Sequence, residues 1–85
     1  MVSVQVTFPG QSGLHARPAA AFVQTASRFQ SAVTVSFQGK TANGKSLLSL
    51  MSLGIAAATP FTITADGPDE QDALAALGSL VSGLI

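Results

Sequence analysis

Three stretches of this chain alternate apolar and polar residues, and no other feature narrows the fold as far. Val2, Val4, Val6 and Phe8 alternate with Ser3, Gln5 and Thr7. Val33, Val35 and Phe37 alternate with Thr34 and Ser36, and Phe61, Ile63 and Ala65 alternate with Thr62, Thr64 and Asp66. A period of two sends successive side chains to opposite sides of an extended strand, so each stretch reads as a strand with one apolar and one polar face. A sheet built from such strands needs a cover on one side only, which predicts two layers with the polar face left open.

The intervening segments supply the cover. Ala19, Phe22, Val23 and Ala26 recur at helical spacing from Pro18 towards Phe29, after Pro9-Gly10 has ended the first strand. Gln38-Gly39 reads as a tight turn, and Lys40 to Asn43 returns as a short partner strand. After the turn at Asn43-Gly44, Ser46 is a suitable N-cap for a short helix through Leu47, Leu50 and Met51, reaching towards Leu53, with Gly54 as its stop. Asp66-Gly67-Pro68-Asp69 turns into a last helix that places Leu74, Leu77, Leu80 or Val81, and Leu84 on one side. The order is βαββαβα: an α+β chain with a four-stranded, mostly antiparallel sheet covered on one face by three helices.

One histidine is present, and it lies in Gly13-Leu14-His15-Ala16-Arg17-Pro18-Ala19, at what reads as a helix start. Proline is tolerated in a first helical turn, where its missing N–H has no partner to lose. The neighbouring amides point at whatever sits beyond the helix end, and the helix dipole favours an anion there. Arg17 adds a planar fork of donors suited to phosphoryl oxygens. His15 adds a ring nitrogen that is nucleophilic near neutral pH. Nucleophile, cation and amides within one turn suit a phosphate, with Ser12, Ala16 and Arg17 as candidate binding residues and His15 as candidate nucleophile, although a lone histidine in a small domain is more often structural or solvated. Ser12 either donates to the phosphate or caps the helix.

Composition narrows the class. Eighty-five residues are read as one domain, 1–85, with a modest core and no deep cleft. Cysteine is absent, which excludes disulfides, thiolate metal sites and cysteine nucleophiles; no metal site and no cofactor are read from the chain. The apolar run from Leu47 to Ala58 is broken by Ser49, Ser52 and Gly54 and is shorter than the roughly 20 residues a bilayer requires. The start, Met1-Val2-Ser3-Val4-Gln5-Val6, lacks the basic and apolar regions of a secretory leader, so a cytoplasmic location is expected. Net charge is zero and the four basic residues are scattered, which argues against nucleic acid. All four basic residues (Arg17, Arg28, Lys40, Lys45) precede all four acidic ones (Asp66, Asp69, Glu70, Asp72), and the acidic segment reads as a helix front.

Gly13 to Ala19, Asn43 to Gly54 and Asp69 to Leu74 together resemble the HPr family, the histidine-containing phosphocarriers of the bacterial phosphoenolpyruvate-dependent sugar phosphotransferase system. The likeness runs through the whole chain. Without it, the element order would read as ferredoxin-like and leave the short middle helix without a place. The resemblance implies an HPr-like open-faced sandwich and a stoichiometric carrier rather than an enzyme. It implies that His15 accepts a phosphoryl group from enzyme I and passes it to IIA domains of sugar-specific enzymes II, with Arg17 stabilising the group. It further implies Ser46 as a regulatory site for a serine kinase/phosphorylase, with a catabolite-control transcription factor as a further partner. Ser46 also has a sufficient explanation as a helix cap.

Leu47 and Leu48 are consecutive, and a short helix cannot bury both equally, so part of the surface of Leu47, Leu48 and Met51 should be exposed for partners. To this patch the resemblance adds Ala20. Exposed first-helix positions that are lysine in some family members are Gln24 and Ser27 here. Partner binding should therefore lean on apolar contact and depend only weakly on salt. A monomer is the default. A regulatory paralogue that binds proteins without carrying phosphate is the alternative, and it would typically lack the acceptor histidine.

Overall fold

The computed structural model describes residues 1–7, 16–54 and 60–83, with residues 16–18 and 82–83 described through their backbone alone. The elements follow the order β1 (Val2–Thr7), α1 (Ala16–Ala26), β2 (Ala32–Phe37), β3 (Lys40–Asn43), α2 (Leu47–Ser52), β4 (Pro60–Asp66) and α3 (Glu70–Gly83). The four strands form one sheet in the order β1-β4-β2-β3, and every ladder is antiparallel. The β1-α1-β2 unit is thus a split crossover, with β4 inserted between β1 and β2. The last strand in sequence lies at the sheet centre.

Alternation decides the faces, as the sequence implies. Val33, Val35 and Phe37 of β2, and Phe61, Ile63 and Ala65 of β4, are buried beneath the helices together with Ala42 of β3. On the opposite face the register aligns Ser3, Thr64, Thr34 and Asn43 in one row, and Gln5, Thr62, Ser36 and Thr41 in the next. No described helix covers those rows. The β2–β3 hairpin turns at Gln38 (φ 50°) and Gly39 (φ 81°), the pair of positive φ values that matches the twist of the flanking strands.

The helices lie on the apolar face in a row. α3 packs on β1 and β4, α1 packs between α3 and α2, and α2 reaches β3. From α1 come Ala19, Phe22 and Ala26, all buried; the helix ends at Ala26, and Ser27 to Ser31 form the link to β2 rather than extending it to Phe29. α3 buries Ala73, Leu77 and Val81, while Leu74 and Leu80 are only partly buried against the core. That differs from the leucine-led face expected of this helix, and Leu84 lies outside the described residues. The buried residue nearest the start of α3 is thus Ala73 rather than its neighbour Leu74.

β1 departs furthest from expectation. Val2 and Val6 are partly buried and Val4 is 36 % exposed, because an edge strand under a single helix has cover from one side only. Phe8 lies outside the described residues.

Candidate functional site

α1 begins at Ala16, so Arg17 and Pro18 fall in its first turn, where a proline costs no intrahelical bond. Ser12 and His15 lie outside the described residues, and His15 immediately precedes the helix. The first turn contains no acidic residue. Amides of Ala16 and Arg17 belong to the set that a helix leaves without intrahelical acceptors, while Pro18 has none to offer. A phosphoryl group at this end would therefore meet free N–H donors and the positive end of an 11-residue helix.

The second segment is described in full. Ser46 is the N-cap of α2: its backbone is extended (φ −119°, ψ 116°), and its Oγ accepts from the Ser49 N–H at 3.4 Å. Its carbonyl accepts from Leu50 N–H at 3.0 Å, and its own N–H donates to the Asn43 carbonyl at 3.0 Å. The Asn43 side chain also accepts from the Lys45 N–H at 2.9 Å, which closes the turn before the helix. Gly44 is required here by close approach. A Cβ at this position would stand 2.5 Å from Val33 Cγ1 and 3.2 Å from the Val33 carbonyl oxygen, to which the Gly44 N–H donates at 2.7 Å.

α2 turns Leu50 into the core and leaves Leu47 (37 %), Leu48 (82 %) and Met51 (41 %) exposed. Leu53, the C-cap, is buried, and Gly54 follows at φ 66°, the left-handed position at which helices commonly stop. The expected apolar patch is thus present. Leu47 and Met51 belong to it rather than to the core. Ala20 is partly buried on α1, the helix against which α2 packs, so Ala20 and the patch come from neighbouring elements.

Gln24 and Ser27 on the outer side of α1 and its end are exposed, as is Arg28. Lys45 is different. Its Nζ donates to the Phe29 carbonyl at 2.7 Å, tying the start of α2 to the link after α1. The acidic segment is likewise structural. Asp69 accepts from the Gln30 and Ser31 N–H groups, each at 2.9 Å, and from Ser31 Oγ. These bonds, the Ser31 hydroxyl foremost, hold its carboxyl below the ordinary value of 3.8. Glu70 is also lowered, first by the Gly67 N–H and then by the Met1 ammonium, which donates to it at 3.0 Å. Sequence reading found the helix-front position of these acids but not their partners, since a hydrogen bond across 38 residues leaves no local pattern.

No described helix is long and apolar enough to cross a membrane. The family model described as the phosphorylation site of the PTS HPr component matches residues 2–82. Among solved structures, the chain is similar to HPr from Thermoanaerobacter tengcongensis, at 43 % identity over 96 % of this chain and 92 % of that one, with a TM-score of 0.92. It is similar to the phosphocarrier protein HPr of Bacillus anthracis, at 44 % identity over 94 % and 95 % of the two chains, TM-score 0.89. It is also similar to Crh, the catabolite repression protein of Bacillus subtilis, solved as a domain-swapped dimer, at 45 % identity over 100 % and 98 %, TM-score 0.80.

Proposed function

Because this chain belongs to the HPr family of the phosphotransferase system, we propose that it is the system's phosphocarrier, taking a phosphoryl group from enzyme I onto His15 and delivering it to IIA domains. The feature that carries the reading is His15, the residue that precedes α1 in the sequence, with Arg17 in the first turn of that helix. In each transfer one N–P bond breaks on the donor histidine as another forms on the acceptor. The ring of His15 attacks through an unprotonated nitrogen, and the departing ring leaves as neutral imidazole once protonated. Bonds of one kind are made and broken, so transfer runs nearly reversibly. Ser12, the Ala16 amide and Arg17 hold the phosphoryl oxygens, and the partner completes the stabilisation of the transition state.

A carrier must be docked in turn by its donor and its acceptors, so one exposed surface has to serve them all. Ala20, Leu47, Leu48 and Met51 are that surface. Ser46, at its edge, is the site for a kinase/phosphorylase, and a phosphate there weakens docking and makes the chain legible to a catabolite-control transcription factor. The likeness to Crh favours a second reading, a regulator that acts by binding proteins. His15 favours the carrier. The protein is expected to act in the cytoplasm, as one domain, without cofactor or membrane insertion.

Incubation with phosphoenolpyruvate and enzyme I, followed by intact-mass analysis, should show one acid-labile phosphoryl group on the wild-type chain. His15→Ala should fold normally and take up none. Acid-labile phosphate on that variant, or none on the wild type, overturns the carrier reading.

A further inference from the structure

Cysteine and tryptophan are absent from the chain, which leaves methionine as its most readily oxidised side chain, and there are two. They lie on opposite flanks of the fold. Met1 precedes β1 at one edge of the sheet, whereas Met51 belongs to α2, which reaches β3 at the other edge. Met51 is 41 % exposed, and its position four residues after Leu47 and three after Leu48 sets it on the same side of the helix as both leucines. A small oxidant can therefore reach it in the folded chain, in the middle of the exposed apolar patch.

We propose that Met51 is a site of reversible oxidation by hydrogen peroxide, and that its sulfoxide weakens docking at this patch. The effect on docking rests on the partner surface assigned above; the modification does not. A sulfur lone pair attacks one peroxide oxygen, the S–O bond forms as the O–O bond breaks, and the other oxygen leaves as water with the proton of the first. Sulfur is oxidised by two electrons and the peroxide is reduced by two. Methionine sulfoxide reductases return the thioether.

The thioether is a weak acceptor that sheds water at little cost, whereas the sulfoxide is polar. A docked partner would have to bury that oxygen beside Leu47 and Leu48, which offer it no donor. The adjacent hydroxyl, Ser52 Oγ, already donates to the Ser49 carbonyl at 2.6 Å. In the free chain the same oxygen stays in water, and the buried residues of α2, Leu50 and Leu53, are untouched. Oxidation thus acts on the encounter with partners and leaves the fold and the ring of His15 as they were.

Protein treated with hydrogen peroxide, then with catalase before enzyme I is added, should carry sulfoxide at Met51 by peptide mapping, and its melting curve should barely move. KM for enzyme I should rise about three- to tenfold with kcat unchanged, and methionine sulfoxide reductases A and B together should restore it. The rise should follow the fraction of sulfoxide at Met51 and not that at Met1. In Met51→Leu, whatever its starting KM, the ratio of KM after and before peroxide should stay at one.

A Met51 that stays reduced while Met1 is oxidised overturns the proposal, as does Met51 sulfoxide with an unaltered KM. A ratio that rises in Met51→Leu as it does in the wild type overturns it too, since the damage then lies elsewhere. Untreated wild-type protein is assayed alongside. If it takes up no phosphoryl group, the carrier reading falls and the docking effect falls with it; if it does, a failed peroxide arm counts against Met51 alone.

Discussion

Asp69 holds together parts of the chain that sequence alone leaves unconnected. Its carboxylate gathers the Gln30 and Ser31 amides and the Ser31 hydroxyl at the entrance to β2, while its carbonyl accepts from Ala73 in the first turn of α3. Ser31 is fully buried, and a Cβ at Gly67 would come within 2.6 Å of its Cα, so the start of α3 and the start of β2 interlock at backbone level. The native carboxyls of Asp69 and Glu70 titrate below their ordinary values of 3.8 and 4.5. On acidification the unfolded chain therefore takes up protons first. Their contribution is complete above those ordinary values and is lost as pH falls through the lowered native ones. Asp69→Asn should lower the melting temperature at neutral pH and flatten its decline between about pH 4 and pH 2. Melting curves across that range test the pairing; an unchanged acid limb would mean that Asp69 is not a principal source of it.

At the scale of an element, α2 shows how a helix too short to stand alone is held in place. Six residues are far fewer than the roughly 12 needed for an isolated helix, so its order comes from the Ser46 cap, the Lys45 bond to Phe29, burial of Leu50 and Leu53, and the stop at Gly54. Because these supports lie behind or at the ends, the outer side is free to carry Leu47, Leu48 and Met51. Leu48→Glu, at a residue 82 % exposed, should leave stability within about 0.5 kcal/mol and raise KM for enzyme I and for IIA domains together. Unchanged KM for both partners would move the docking surface elsewhere. Ser46→Asp keeps an acceptor at the cap and adds a negative charge at the favourable end of the helix dipole. It should preserve or raise the melting temperature while raising KM for enzyme I. Unaltered transfer kinetics in this variant and in phosphoserine protein would leave Ser46 a cap alone.

For the whole molecule, the scarcity of charge governs how partners are found. Only eight side chains are charged by formal count, four of each sign. Among them Lys45 is tied to a backbone carbonyl, and Asp69 and Glu70 are held by hydrogen bonds within the fold. Little remains to steer an encounter from a distance. The KM for enzyme I should change by less than about threefold between 50 mM and 500 mM salt, a range over which the Debye length falls below 10 Å and charge-steered association slows steeply. A tenfold or larger rise would show that the few remaining charges, exposed Arg28 foremost, direct docking.

Local pattern determined the elements of this protein. Alternation marked β1, β2 and β4, Gln38-Gly39 marked the hairpin, Ser46 and Gly54 bracketed α2, and His15-Ala16-Arg17 stood at the start of α1, because period, cap and turn are properties of neighbouring residues. The strand order was decided only in three dimensions. Alternation says which face of a strand is apolar but not which strand lies beside it, so the ferredoxin-like alternative could not be separated from a sheet in which β4 enters between β1 and β2. The inner face of α3 was also decided by packing, since a leucine row at helical spacing does not reveal that Ala73 and Val81 are buried while Leu74 and Leu80 are only partly so. The tie from Asp69 to Ser31 and the half-open side of β1 follow from the same cause: each depends on what the folded chain brings alongside, which no stretch of sequence carries by itself.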